Sequence, residues 1–420
     1  MENNTVNINM HEKPIKTNIF LHPLIRVGAT FALLHSKNKV IKENFKKIKG
    51  GCLILSNHMS FEDVKFLYKI IWPRRSYFLV SVDEFMGKEK LLRQIGCIPK
   101  KVHYTDMGIV RNVVRLLKQG NLVSIYPEAT YSFAGITNEY DKDLGKLAKM
   151  AKVPVVVIHL YGDYLYSPRW NTLPKNKEVP LIAKAKMVVT KDEVESLSAE
   201  NIQARIEEYF AYDEYKYQRD NNIHIHNKTM AKNIDRILYR CPHCLKENTI
   251  IGENNTIFCT NCKASYDIDE LSILKNNNGE TKFESISDWF KWQKQVELDN
   301  FDNYDITFPV KISRYINSDD GFDHDYGIGI ARQNKDGLVV DGTINKTREP
   351  FHFDYNSKLN SLIHLTYDVK GCQEPGVEVH TDTDSYLFYP TDGTSIIKIR
   401  FGVEIAHQKY VESLKNTLSK

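Results

Sequence analysis

The residues best equipped for chemistry fall in one short stretch, Asn57-His58-Met59-Ser60-Phe61-Glu62-Asp63. A neutral imidazole near pH 7 can take a proton from a hydroxyl group. A carboxylate on its other nitrogen fixes the tautomer and stabilises the imidazolium that forms. His58 and Asp63 have the residue types for that pairing, with four residues between them. The same spacing has a plainer use: Ser60 and Asp63 could form a capping-box variant that simply starts a helix.

A second constellation is Cys241-Pro242-His243-Cys244, a fourteen-residue interval, and Cys259-Thr260-Asn261-Cys262. Each CxxC turn aims two thiolates at one point, and the interval suits a β-hairpin turned at Glu253-Asn254-Asn255. The four thiolates of Cys241, Cys244, Cys259 and Cys262 would fill a tetrahedral shell with no open position, as a structural Zn(2+) in a zinc ribbon requires. A redox dithiol is the weaker alternative, and His243 reads as a bystander. Around the ribbon, residues 235–270 carry a net charge of −2, which argues against nucleic acid as a partner.

The elements that must position His58 follow from hydrophobic pattern. Leu53-Ile54-Leu55 is an apolar strand ending at Ser56, and Val64, Phe66, Leu67, Ile70 and Ile71 mark a helix starting near Asp63. The imidazole therefore sits at a strand's carboxyl end, where open α/β sheets bind ligands. Further strands are expected over 77–82, 97–99, 122–126, 153–159 and 181–189. Helices are expected over 84–95, 107–119 (capped by Asp106), 144–151 and 198–210. Helices are also read from Pro14 to about Phe45, and 212–233 reads as a linker or peripheral helix. This alternation predicts an α/β domain with a sheet flanked by helices.

Length and charge bound the rest. At 420 residues two or three domains are expected. Lys plus Arg (57) against Asp plus Glu (53) is nearly balanced, yet residues 1–50 carry a net +6 and residues 285–420 a net −6. No run of about 18 apolar residues occurs, so no transmembrane helix is expected. The segment from Ile19 to Leu34, followed by Lys37, Lys39, Lys42, Lys46, Lys47 and Lys49, suits either an interfacial helix on an anionic membrane or an ordinary packed helix. Cys52, Cys97 and Cys372 are scattered, with no signal peptide before them, and a reducing cytoplasmic setting is expected. After a polar linker at 275–284, strand-like runs from 306 to 401 and a helix over 403–418 predict a β-rich domain closed by a helix, of pleckstrin-homology-like architecture. Its acidic balance favours a protein partner over an anionic lipid surface.

Four pieces stand in order: Asn57-His58-Met59-Ser60-Phe61-Glu62-Asp63, Gly96-Cys97-Ile98-Pro99-Lys100, Tyr126-Pro127-Glu128-Ala129-Thr130-Tyr131-Ser132 and Val153-Pro154-Val155-Val156-Val157. Together they resemble the lysophospholipid (1-acylglycerol-3-phosphate-type) acyltransferase family over residues 15–215. The family's first block, Asn-His-x-Ser-x-x-Asp, is matched at every fixed position. Its third block is usually Pro-Glu-Gly-Thr-Arg-Ser, and here Ala129 replaces Gly and Tyr131 replaces Arg. Its second block normally carries an Arg, for which Lys100 or Lys101 would stand in.

The resemblance implies direct acyl transfer. His58, oriented by Asp63, would deprotonate the hydroxyl of a lysophospholipid acceptor, which attacks the thioester of acyl-CoA or acyl carrier protein. It also implies substrate contacts at Asn57, Ser60, Lys100, Lys101, Glu128, Thr130 and Tyr131. The expected organisation is an acyltransferase-like domain over 1–225 with N-terminal interfacial helices, a zinc ribbon over 235–272 and the β-rich domain over 285–420. The expected location is cytoplasmic, peripheral at the inner face of the membrane. A catalytically inactive scaffold and a lipid or thioester hydrolase are the alternatives.

Overall fold

The apolar run Cys52–Ser56 is buried at every position and occupies the middle of a seven-stranded sheet. In the computed structural model the described residues are 8–45, 48–60, 62–85, 87–100, 106–140, 142–171, 175–277, 279–316, 321–369, 371–381 and 384–418. The chain forms two compact units, essentially 7–226 and 227–420.

The first unit contains strands β1 (Asn38–Glu43), β2 (Cys52–Ser56), β3 (Ser76–Ser81), β4 (Cys97–Lys100), β5 (Leu122–Ile125), β6 (Val155–Tyr161) and β7 (Leu181–Val189). Its helices are α1 (Leu21–Ala32), α2 (Asp63–Ile71), α3 (Glu89–Gln94), α4 (Met107–Lys118), α5 (Leu144–Ala151), α6 (Asp163–Tyr166), α7 (Lys191–Ser196), α8 (Ala199–Phe210) and α9 (Glu214–Asp220). Strand order is β1-β7-β6-β2-β5-β3-β4. Strands β6, β2, β5, β3 and β4 run parallel, and β7 runs antiparallel to β6. Leu53, Leu55, Val123, Val155 and Val157 pack on one face against Val113, Leu116 and Leu117 of α4, Ala148 of α5 and Ile202, Ile206 and Phe210 of α8. Burying each large apolar side chain contributes about 1.5–3 kcal/mol.

Two local readings change in the first unit. Residues 38–43 form β1, paired parallel with β7, instead of helix. This edge strand leaves Lys39 exposed, and its burial does not alternate, so no period of two marks it. The helix expected from Glu84 begins only at Glu89, after a 3₁₀ turn at Val82–Phe85. In the 212–233 tract the helical alternative holds over α9, which buries Glu214, Tyr215 and Gln218.

In the second unit the cysteine segment forms a four-stranded sheet from β8 (Ile250–Glu253), β9 (Thr256–Cys259), β10 (Ser265–Ile268) and β11 (Leu274–Asn276). The β8–β9 hairpin turns at Asn254-Asn255, with Asn254 at φ +53°. After α10 (Ile286–Asp299) come β12 (Asp305–Tyr315), β13 (Phe322–Asn334), β14 (Gly337–Ile344), β15 (Pro350–Asn356), β16 (His364–Thr366), β17 (Gly376–His380) and β18 (Ser385–Pro390), closed by α11 (Ile396–Leu418). The seven strands are antiparallel in the order β15-β14-β13-β12-β18-β17-β16. The strand expected at 394–401 is the first part of α11. Ile396, Ile397, Ile399 and Phe401 are all buried there, and an apolar stretch buried that fully hides its period. The ribbon is joined to α10 within this unit: Gln293 Oε1 accepts from the Tyr239 and Arg240 amides at 2.7 and 2.9 Å, and the Tyr239 hydroxyl donates to Glu297 at 2.8 Å.

Candidate active site and candidate metal centre

Strands β5, β2 and β6 are parallel neighbours, so the residues that follow them meet at one edge of the sheet. After β2, Asn57 extends the ladder with its side chain. Its Nδ2 donates to Leu160 O at 3.1 Å, and its Oδ1 accepts from Leu160 N at 2.8 Å. The next residue, His58, is stapled to the loop after β5. Its amide donates to Glu128 Oε1 at 3.3 Å, and its carbonyl accepts from Ser132 N at 2.8 Å.

The His58 Nδ1 lies 2.7 Å from Asp63 Oδ2. Asp63 is fully buried and also accepts from the Met59 amide at 2.8 Å and the Ser60 amide at 3.3 Å. The capping alternative is met only in part. Ser60 Oγ accepts from Glu62 N and donates to Asp163 Oδ1 at 2.8 Å. Among the described residues the His58 Nε2 has no hydrogen-bond partner. The side chain is 16% exposed, which leaves that nitrogen open to a proton from an incoming group.

Aromatic rings fix the imidazole further. Its centroid is 4.3 Å from the Tyr126 ring and 4.1 Å from the Tyr131 ring. The Arg169 guanidinium lies 4.8 Å from the Tyr131 centroid. Burial lowers the His58 pKa and the Arg169 charge lowers it further, against the opposing pull of Asp163, so the imidazole is held neutral. Burial also pushes the Asp63 carboxyl upward, opposed by its hydrogen bonds to Asp163 and to the two amides.

The residues expected to touch substrate divide into groups. Asn57, Ser60 and Glu128 are buried and engage the protein; Glu128 Oε2 also accepts from Asn138 N at 2.7 Å. Tyr131 packs on the base itself. Thr130 is buried, and its hydroxyl has no partner among the described residues. Lys100 ends β4, the edge strand three places from β2. At a strand spacing of about 4.8 Å that puts its backbone roughly 14 Å from β2. Lys101 lies outside the described residues. Sequence reasoning did not single out Asp163 and Arg169, which come from the segment after β6. Their one available signal is that β6 is a parallel strand whose end must reach the same edge.

In the second unit, the sulfur atoms of Cys241, Cys244, Cys259 and Cys262 all lie within 4.8 Å of one another. The Cys241–Cys262 and Cys244–Cys259 pairs are 3.6 and 3.7 Å apart. Tetrahedral zinc with Zn–S bonds of about 2.3 Å would need sulfurs about 3.8 Å apart, so the four residues fit a metal ion. The two knuckles repeat one geometry. Leu245 N donates to Cys241 O and Lys263 N to Cys259 O, both at 3.0 Å, with φ of +62° and +65°. His243 is not one of the four and lies 3.1 Å from Asn276 Nδ2.

Residues 37–160 match the family model described as Acyltransferase. Among solved structures, the chain is similar to the crystal structure of the 1-acyl-sn-glycerophosphate (LPA) acyltransferase PlsC from Thermotoga maritima. That match has 20% identity, covers 46% of this chain and 77% of the other, and gives a TM-score of 0.38.

Proposed function

We propose, from the match of residues 37–160 to the family model described as Acyltransferase, that the first unit of this chain transfers a fatty acyl group to a lysophospholipid hydroxyl. The observation that carries the reading is the His58–Asp63 pair at the carboxyl end of β2, with Nε2 left open. Nε2 takes the acceptor's hydroxyl proton as the oxygen attacks the thioester carbonyl of acyl-CoA or acyl carrier protein. The C–S bond then breaks, and the departing thiolate takes the proton back from the imidazolium. Asp63 holds the tautomer and offsets the transient positive charge.

A 1-acylglycerol-3-phosphate-type acceptor is favoured by Arg169. Its guanidinium is exposed, sits next to the ring that packs on His58, and has no carboxylate partner among the described residues. Planar guanidinium suits phosphate geometry. Lys100 and Lys101 are assigned to the outer part of the headgroup, and Thr130 to the wall of the acceptor site. Asn57, Ser60 and Glu128 act by holding the loops.

The membrane-surface partner rests on α1. Phe20, Leu24, Val27, Phe31 and Leu34 recur at alternating spacings of four and three, and all are exposed, at 80, 67, 52, 65 and 63%. A stripe of that kind suits insertion into a lipid interface. Among the described residues no helix is long and apolar enough to cross a membrane. Location at the inner face of the membrane follows from this reading. Zinc is assigned to the four cysteines as a structural ion that ties the two knuckles together. The seven-stranded antiparallel order closed by α11 supports the pleckstrin-homology-like reading of the β-rich segment, with a protein as its partner.

The test is a labelled acyl-thioester donor offered with a panel of lysolipids. Formation of the acylated lipid with release of free thiol is the expected result. Release of free fatty acid alone would replace transfer with hydrolysis, and no turnover of any donor would leave a scaffold.

A further inference from the structure

Two buried carboxyl groups share Ser60 behind His58, and only one of them, Asp63, belongs to the first sequence block. Asp163 opens α6 directly after Gly162, whose φ of +83° turns the chain at the end of β6. A Cβ at Gly162 would stand 2.2 Å from Pro180 O, so the turn that delivers Asp163 is built for glycine. Both Asp63 and Asp163 have no exposed surface, and Ser60 joins them: its amide donates to Asp63 Oδ1 at 3.3 Å and its hydroxyl to Asp163 Oδ1 at 2.8 Å.

The donors decide which group is charged. Asp63 receives the His58 imidazole and two backbone amides. Asp163 receives the Ser60 hydroxyl on Oδ1, while its buried Oδ2 meets no N–H or O–H donor among the described residues. Two carboxylates joined through one buried serine, away from water, do not both ionise, and a hydrogen bond between them requires one proton. The group with three donors keeps the charge; the group with one keeps the proton.

We propose that Asp163 is a positioning residue for acyl transfer, a neutral carboxylic acid that donates its proton to Asp63 and accepts from Ser60. The dyad is thereby a chain of three, His58–Asp63–Asp163, with one negative charge. This inference rests on the reading of His58 as the base.

The surroundings agree. Burial, then the charge of Asp63, pushes the Asp163 pKa well up. Glu62 adds negative charge nearby, burial pushes the Glu214 carboxyl up to about 8, and the adjoining Tyr126, Tyr131 and Tyr166 are phenols. The cation in range, Lys175, is paired with Glu62 at 2.5 Å. Among the described residues on these elements, no cation pairs with Asp163 itself.

The test compares Asp163→Asn and Asp163→Ala in the full chain, with His58→Ala in parallel. An asparagine keeps a donor toward Asp63 and an acceptor for Ser60, so Asp163→Asn should stay within about threefold of wild-type kcat. Asp163→Ala should lose at least about tenfold in kcat, with little change in KM. The wild type should lose activity at alkaline pH as the shared proton leaves, and Asp163→Asn should not. In infrared difference spectra, wild type minus Asp163→Asn should show one protonated carboxylic acid at neutral pH. This readout stands even if Asp163→Ala fails to fold. Absence of that band, matching alkaline limbs, or Asp163→Asn as impaired as Asp163→Ala would overturn the inference. If both variants behave as wild type while His58→Ala is inactive, this inference alone fails. If His58→Ala is fully active, the base assignment beneath it fails.

Discussion

The Tyr131 ring lies 4.1 Å from the His58 ring, at an interplanar angle of 33°. Where the resemblance leads one to expect an arginine, this chain has a phenol packed on the base, and a guanidinium reaches that ring from Arg169, 4.8 Å away. Arg169→Ala should therefore raise KM for a phosphate-bearing lysolipid by about tenfold, the size of one charge-assisted hydrogen bond. It should leave KM for a neutral monoacylglycerol unchanged. Steady-state kinetics on the two acceptors checks this; equal effects on both would remove Arg169 from the headgroup.

The pH profile should carry the signature of a buried base. Burial and the Arg169 charge lower the His58 pKa from its ordinary 6.5. A base with a lowered pKa stays unprotonated to lower pH. The acid limb of kcat/KM should thus fall below pH 6.5 and move upward in Arg169→Ala. A limb above 6.5 in the wild type would contradict the burial argument.

Ala129 occupies the third-block position where the resemblance expects glycine, and its φ is +55°. The backbone keeps the left-handed turn, with Ala129 N donating to Tyr126 O at 3.1 Å. A Cβ in that conformation costs about 1–2 kcal/mol, partly offset by the freedom glycine gains on unfolding. Ala129→Gly should stabilise the fold by roughly 0.5–1 kcal/mol. Denaturant unfolding measures it, and a loss of stability would mean that the turn tolerates alanine without strain.

The metal centre predicts a purified chain with about one zinc per molecule. Cys241→Ser and Cys259→Ser should abolish that zinc and lower the temperature at which the second unit unfolds. Acyl transfer should persist, since every residue assigned to it lies in the first unit. Elemental analysis with calorimetry decides; full-length protein that is stable and metal-free would rule out a structural ion.

Legibility in the sequence followed how local each signal was. The strand before His58, the helix after it and the Asp106 cap are short-range patterns, and each lies where the pattern put it. The β1 edge strand and the start of α11 escape the pattern because partial exposure in one and full burial in the other hide the period. Asp163 and Arg169 follow Asn57 by more than a hundred residues. They reach His58 only because β6 pairs with β2, and a single sequence does not reveal which strands are neighbours.

The most direct measurement of the central claim is acyl transfer by His58→Ala, with a long-chain acyl-CoA donor and a lysophosphatidic acid acceptor. If Nε2 of His58 takes the hydroxyl proton, kcat should fall by about 10²–10⁴ with KM for both substrates and the unfolding temperature nearly unchanged. Wild-type kcat in folded His58→Ala would contradict the account.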